Sequence, residues 1–208
     1  AQLQELSDLK DQIIQNVSHE LRTPLTFIKG YVELLGEGNM GPINAEQRES
    51  LAIVTRKSED IIHIVNEIIS LQAIDRRTLN PRAFDLTPIL KSVITLIEKR
   101  WTTYLPHTFH LPSTDKSLKI WSDPEKIQQL CYNILDNAVK FSPDGGAITI
   151  DTIPEGEFVH ITCQDEGIGI PQDKLEKIFE TFYQIDGSAT RQFGGLGLGL
   201  AVAQRIVE

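Results

Sequence analysis

From Ile14 onward, apolar residues recur at Val17, Leu21, Pro24, Ile28, Tyr31 and Leu35, the three-four alternation that makes the a/d seam of packed helices. This spacing predicts one long helix. The next nine residues, GEGNMGPIN, carry three glycines and a proline and read as a turn. The alternation resumes at Leu51, Val54, Ser58, Ile61, Val65 and Ile68, with Ile62 and Ile69 widening the stripe, so a second helix is expected to fold back on the first. Two helices cannot cover stripes this wide, and Leu3, Leu6 and Ile13 carry the pattern toward the N-terminus. The expected assembly is a homodimeric four-helix bundle.

Over RRTLNPRAFDLTP, residues 76–88, the periodicity breaks. A domain boundary is expected there, dividing the chain into residues 1–78 and 79–208. Beyond it, KSLKIWSD has the pattern of a strand, and SDPEK that of a helix start: Ser122 or Asp123 as N-cap, Pro124 in the first turn, Glu125 placed to close a capping box. This helix is expected to reach about Phe141, with Ile127, Leu130, Ile134, Ala138 and Phe141 as its apolar stripe. SPDGG is a turn. AITIDTI and EFVHITCQD alternate as strands and are joined by PEG, a hairpin. The fold class is α+β, a helical hairpin followed by a mixed helix-and-sheet domain.

Composition narrows the partners. Lys and Arg total 20 against 29 Asp and Glu, a net charge of -9, whereas sequence-independent binding to nucleic acid needs an excess of positive charge. No nucleic acid is expected. The hydrophobic share of 40% suits a protein with a packed core. Cys131 and Cys163 stand singly in apolar surroundings, the pattern of reduced core residues in a cytoplasmic protein without a zinc site. No apolar run approaches the ~20 residues of a membrane-spanning helix. The chain starts and stops inside patterned segments and reads as a piece of a longer one.

The chemistry-bearing residues fall in a few short segments. With Ile14 at a, His19 falls at f and Thr23 at c, both on the outside of the bundle, and Thr23 lies one turn along the same stripe as the imidazole. Glu20 is adjacent in sequence but about 100° around the helix. Pro24 cannot donate to the Glu20 carbonyl and would bend the helix there. Thr23-Pro24 equally reads as an N-cap and first-turn pair starting a new helix, with His19 and Glu20 a solvated face. His63, also at f, reads as surface. In QLCYNILDNAVKFSP, Asn133, Asn137 and Lys140 share one helix face. Carboxamide oxygens suit a hard cation and an ammonium suits phosphate, as a Mg²⁺-nucleotide would require; the same residues could also form a plain polar surface.

In CQDEGIGIP the alternation of Val159, Ile161 and Cys163 directs Asp165 inward, where a carboxylate needs donors such as an exocyclic amine. Gly167 and Gly169 would let backbone close on a base. FGGLGLGLAVAQRIV sets Gly194, Gly195, Gly197 and Gly199 just before an apolar-periodic helix, a place where backbone N–H groups can hold phosphate. Neither of the common phosphate-loop spacings is present. Phe179 and Phe182 read as anchors for the polar segment between the two glycine runs.

These segments, in this order, resemble the sensor histidine kinases of two-component signalling from Asp11 to Glu208. SHELRTP resembles the family's H-box, NILDNAVKF its N-box, DEGIGIP its G1-box, FETFY its F-box and GGLGLGL its G2-box. The resemblance implies a dimerisation and histidine-phosphotransfer hairpin followed by an α/β sandwich ATP-binding domain of the histidine kinase/gyrase type, truncated at its C-terminal end. It implies ATP and Mg²⁺ as cofactors, a response regulator receiver domain as partner, and it admits a membrane-anchored parent. By residue, it implies His19 as phosphoacceptor, Glu20 as its acid-base partner and Thr23 as the water-orienting residue of a reverse phosphatase reaction. Asn137 becomes the principal Mg²⁺ ligand, assisted by Asn133, and Asp165 the adenine contact. Lys140, Arg191, Gly195, Gly197 and Gly199 would face phosphate. Leu196 departs from the hydroxyl residue many relatives carry there. The two domains would have to approach, with Pro24 and residues 76–88 as moving parts. A clamp ATPase of the gyrase and mismatch-repair kind is the alternative, but such enzymes carry a glutamate where this chain has Asn133, and an amide cannot act as a base. A degenerate coiled-coil scaffold is the non-enzymatic alternative.

Overall fold

The computed structural model describes residues 2–73, 79–101, 107–111, 117–185 and 196–208, and within the first two helices the side chains of residues 16–17 and 20–69. The chain forms two compact units, Ala1–Ala73 and Ile74–Glu208.

The first unit is a helical hairpin of α1 (Gln2–Gly36) and α2 (Ala45–Ala73). α1 continues through Pro24 without interruption. Thr23 and Pro24 therefore sit inside a helix and do not start one. The turn between the helices places Gly38 and Gly41 at positive φ. α2 is then opened by Asn44, whose Oδ1 accepts the Gln47 N–H at 2.8 Å while its own N–H reaches the Gln47 side-chain oxygen at 2.9 Å, a reciprocal cap that satisfies two otherwise orphaned donors. Leu25 and Val32 of α1 and Ser58 and Val65 of α2 are buried. The a/d residues Val17, Leu21, Ile28 and Tyr31 of α1, with Val54 and Ile61 of α2, stay exposed. Each helix thus carries a second apolar face that the hairpin itself does not cover. His63, read from the sequence as surface, is half-buried with Nδ1 3.6 Å from the Glu67 carboxylate, because α2 buries Glu67 one turn further on.

The second unit runs β1 (Arg82–Asp85), α3 (Leu86–Trp101), β2 (His107–His110), β3 (Lys119–Ser122), α4 (Pro124–Lys140), β4 (Gly146–Glu155), β5 (Phe158–Gln164) and α5 (Gly199–Val207), with short 3-10 turns at Gln172–Lys174 and Lys177–Phe179. β1 and β3 form an antiparallel ribbon. Among the described residues, β4 is the middle strand of a three-stranded sheet, parallel to β2 and antiparallel to β5. The β4–β5 hairpin closes through Gly156 at φ +61°.

The core joins α3, α4 and the sheet. α3 contributes Leu86, Leu90, Val93 and Ile97, α4 contributes Cys131, Leu135, Ala138 and Val139, and β4 contributes Ile148 and Ile150. Each large aliphatic chain buried there stabilises by about 1.5–3 kcal/mol against exposure. Asp123 is the N-cap of α4, accepting the Glu125 and Lys126 N–H groups at 2.9 and 3.3 Å and also that of Asn80 at 2.9 Å. Glu125 therefore supplies its backbone to the cap and not the side chain of a capping box. Both cysteines are free thiols, Cys131 buried and Cys163 half-buried. Burial pushes the Cys131 thiol up to about 12 and that of Cys163 up to about 11.

Candidate functional site

α4 is the spine of the site. At about 100° per residue, Asn133, Asp136, Asn137 and Lys140 fall within one narrow arc. This arc is no outer polar face: Asn133 is 4% exposed and Asp136 2%. The expected apolar stripe is displaced accordingly, since Ile127, Leu130, Ile134 and Phe141 are only half-buried while Cys131, Leu135, Ala138 and Val139 are buried. α4 packs against α3 on one side and α5 on another, and a helix with neighbours on two sides buries more than one stripe.

Asn133, Asp136 and Lys140 each have a partner. Asn133 donates from Nδ2 to the Gly199 carbonyl at the start of α5, 3.2 Å away. Asp136 receives the Lys140 ammonium at 2.6 Å and the Trp101 indole N–H at 3.0 Å. Arg100 stands 3.9 Å from the same carboxylate and donates to the Tyr132 hydroxyl at 2.6 Å. Lys140, expected to face phosphate, is ion-paired within its own helix. An ammonium has three donors, so this pairing leaves capacity for a further acceptor.

The DEGIGIP segment meets the C-terminal end of α4. Phe141, the C-cap of α4, bonds from its N–H to the Asn137 carbonyl and accepts the Ile168 N–H at its own carbonyl, 2.9 Å away. A Cβ on Gly167 would lie 2.7 Å from Asp165 Oδ1 and closer still to the Phe141 carbonyl oxygen, so no side chain fits there. Asp165 is exposed, not inward as the strand alternation suggested. β5 ends at Gln164, and Asp165 begins a turn in which its Oδ1 accepts the Gly167 N–H at 2.9 Å; past the last strand residue, parity no longer sets direction. Glu166 ties the turn to the start of β4, its Oε2 accepting the Ala147 N–H at 3.0 Å. Gly169 follows at φ +67° with open space around it.

The FETFY and glycine-rich segments meet each other. Phe182 lies at φ +67° and donates its N–H to the Gly197 carbonyl at 3.1 Å. Gly197, at φ +71°, presses on the Tyr183 carbonyl where a Cβ would clash, so it must be glycine both for conformation and for space. Leu198 behind it is fully buried. Phe179 and Phe182, expected as anchors, are 40% and 63% exposed; the attachment is made by backbone. Gly194, Gly195 and Arg191 lie outside the described residues.

In the first unit, Glu20 and Thr23 are exposed on α1. The backbone of His19 lies in the same helix, and its side chain lies outside the described residues. One turn on, the Thr26 hydroxyl donates to the Arg22 carbonyl at 2.9 Å.

Among the described residues no cluster of three His, Cys, Asp or Glu side chains could hold a metal ion. The α4 arc instead offers neutral carboxamide oxygens. That donor set fits Mg²⁺ only if phosphate oxygens and water complete its shell, the situation of a metal arriving with a nucleotide. An open cleft of about 590 Å³, lined by Leu79, Trp121, Lys126, Arg205 and Val207 among others, adjoins the N-terminal end of α4, the opposite end from Asn137 and Lys140. Sequence reasoning missed Asp136 and Glu166. Asp136 had a signal in its i, i+4 spacing to Lys140; Glu166 had none.

Residues 9–77 match the family described as His Kinase A (phospho-acceptor) domain, and residues 122–208 the family described as histidine kinase-, DNA gyrase B-, and HSP90-like ATPase. The sensor histidine kinase WalK of Bacillus subtilis is 37% identical over 201 residues, 95% of this chain and 32% of that protein. The circadian input-output histidine kinase CikA of Synechococcus elongatus is 33% identical over 202 residues, 96% of this chain and 27% of that protein. The chain thus spans about a third or less of these relatives. Among solved structures, full-length ShkA in complex with AMPPNP superposes with a TM-score of 0.65 at 27% identity, over 94% of this chain and 40% of that one. With both family matches in the order that the hairpin and the α/β unit follow, the chain belongs to the sensor histidine kinases of two-component signalling.

Proposed function

We propose that this chain phosphorylates itself on His19 from Mg²⁺-ATP and passes the phosphoryl group to an aspartate on a response regulator receiver domain. The observation that carries the nucleotide half is the junction at Phe141. One carbonyl holds the DEGIGIP turn against the helix end that bears Asn137, so a carboxylate for a base, a carboxamide for a metal and an ammonium for phosphate belong to one connected piece of structure. The AMPPNP complex of ShkA supports ATP as the nucleotide.

The chemistry follows from these groups. Asp165 accepts from the adenine amine; Asn137, with Lys140 and the backbone of Gly197 and Gly199, positions the phosphates. Mg²⁺, held by Asn137 with the nucleotide, supplies neutralisation of phosphate charge. Neutral imidazole, with an unperturbed pKa of ~6.5, attacks the γ-phosphorus of ATP in line. The new N–P bond forms as the P–O bond to ADP breaks, and Glu20 takes the ring proton. Nothing at position 133 can serve as a base to direct water onto the phosphate, which favours transfer to histidine over hydrolysis. Thr23, on the His19 stripe, orients water in the reverse, phosphatase direction.

We place the functional boundary between residues 78 and 79. The exposed second face of the hairpin, from Val17 to Tyr31 and at Val54 and Ile61, supports a homodimer through four helices; light scattering at micromolar concentration should give twice the chain mass, and a monomer would refute this. The function is tested by chase. Chain labelled with γ-³²P-ATP and freed of nucleotide should lose acid-labile label to a cognate receiver domain, which gains base-labile label. Retention of the label, or its release as free phosphate without a labelled receiver, counts against the proposal. Thr23→Ala should slow receiver dephosphorylation more than labelling of His19.

A further inference from the structure

We propose that Asn133 is a positioning residue that docks the first turn of α5 onto the nucleotide face of α4, and that it is not a metal ligand. This rests on the reading of that face as a Mg²⁺-ATP site. Family resemblance would make Asn133 the assistant of Asn137 at the metal, but the geometry separates the two. Asn137 is half-buried, whereas Asn133 is 4% exposed and its Nδ2 is committed to the Gly199 carbonyl at 3.2 Å. A Mg²⁺ ion keeps several waters and dehydrates reluctantly, which suits the more accessible amide.

The bond crosses 66 residues of sequence to the residue that opens α5. Around it the fit is close: Leu198 is fully buried, and Ala201, Val202 and Ala203 are buried where α5 packs on α4. On its other side the same turn is tied down by the Phe182 N–H to the Gly197 carbonyl. Gly197 to Gly199 is therefore held at two points, one of them a single side-chain amide. The first-turn N–H groups of a helix lack intrahelical partners, and among the described residues no side chain caps α5. Their usefulness to a phosphate depends on where that turn sits relative to Asn137, and Asn133 fixes the distance.

The consequence is specific. If Asn133 acts through α5, its loss lowers the fraction of molecules with the turn docked, and the apparent affinity for nucleotide falls by that fraction whether or not metal is present. If it acts as a ligand, its loss is felt only with metal. Asn133→Asp separates the two, because it keeps an oxygen for Mg²⁺, loses the N–H donor and turns a carboxylate toward the Gly199 carbonyl. AMPPNP binding to the full 208-residue chain is measured in Mg²⁺ and in EDTA, together with amide exchange in α5. Asn133→Asp and Asn133→Ala are expected to weaken binding roughly tenfold and equally in both buffers, and to speed exchange at Val202 and Ala203. Asn137→Ala is expected to weaken binding in Mg²⁺ only. Normal binding by Asn133→Asp in EDTA, with unchanged α5 exchange, overturns the proposal. If wild type shows no AMPPNP binding, or Asn137→Ala shows no dependence on Mg²⁺, the nucleotide reading fails, and exchange in α5 alone decides whether Asn133 docks that helix.

Discussion

Replacing Asp136 by alanine should cost more than any other single change on α4. Its carboxylate, 2% exposed, holds the Lys140 ammonium at 2.6 Å and the Trp101 indole at 3.0 Å, with Arg100 at 3.9 Å. Removing one partner of a buried pair costs about 3–5 kcal/mol, because the other charge is left without compensation. The Lys140 side chain is 12% exposed and can recover some hydration, which sets the expectation near the lower end, about 3 kcal/mol. For a unit of this size that corresponds to a fall in Tm of roughly 10–15 °C. Asp136→Asn keeps an acceptor for the indole and loses the charge, so about half that effect is expected. Thermal unfolding by circular dichroism measures both, and tryptophan emission adds a local readout: Trp101 loses its acceptor while Trp121, 72% exposed, provides a constant background. In a double-mutant cycle with Lys140→Met, the second change should cost little once Asp136 is gone. A fall of less than about 2 °C in Asp136→Ala, with unchanged emission, would refute the view that this carboxylate organises the helix.

Other substitutions test the turn, the cap and the thiols. Gly167→Ala, which drives a methyl into the Phe141 carbonyl and Asp165, should weaken nucleotide binding at least tenfold by calorimetry while circular dichroism remains close to wild type; full binding would mean that the turn shifts freely. For Asp123, burial raises the carboxyl pKa, but the N–H groups of Asn80, Lys126 and Glu125 outweigh it and hold the group below its ordinary value. A depressed pKa contributes stability that is present above the unfolded value of ~3.9 and lost as pH falls through the folded value. Asp123→Ala should therefore cost about 1 kcal/mol at pH 7 in urea titration, with the difference from wild type shrinking below about pH 4; a difference constant down to pH 2 would contradict the cap. With Cys131 pushed up to about 12 and Cys163 to about 11, neither thiol should react with iodoacetamide at pH 8 until the protein is unfolded; rapid labelling of the native chain would contradict their burial.

The helical hairpin, the Asp123 start of α4 and the β4–β5 hairpin were legible because each rests on local chemistry: a repeat, a cap and an alternation. α3 is harder to read, although Leu86, Leu90, Val93 and Ile97 repeat at helical spacing. Pro88 reads as part of the preceding linker, yet proline in a first turn removes only a donor that has no helical acceptor. β1 and β2 are four residues each, too short for alternation to stand out. Along α4 the choice of stripe failed because the helix has neighbours on two sides, and which neighbours it has is a matter of tertiary structure. The inward orientation expected for Asp165 extended strand parity one residue past the end of the strand. The bond from Asn133 to Gly199 joins segments far apart in sequence, and no local pattern announces it.

The most direct test of the account is the site and chemistry of phosphorylation. The chain, incubated with Mg²⁺ and γ-³²P-ATP, should acquire label on a histidine nitrogen. The label should be lost in acid, where the leaving nitrogen is protonated, and kept in base, and peptide mapping should place it at His19. His19→Gln should abolish the label while AMPPNP still binds, and Asn137→Ala should abolish it through loss of metal-nucleotide positioning. Label at His63 or another residue in His19→Gln, or free phosphate as the main product with no phosphorylated chain, would contradict the assignment and favour a clamp ATPase.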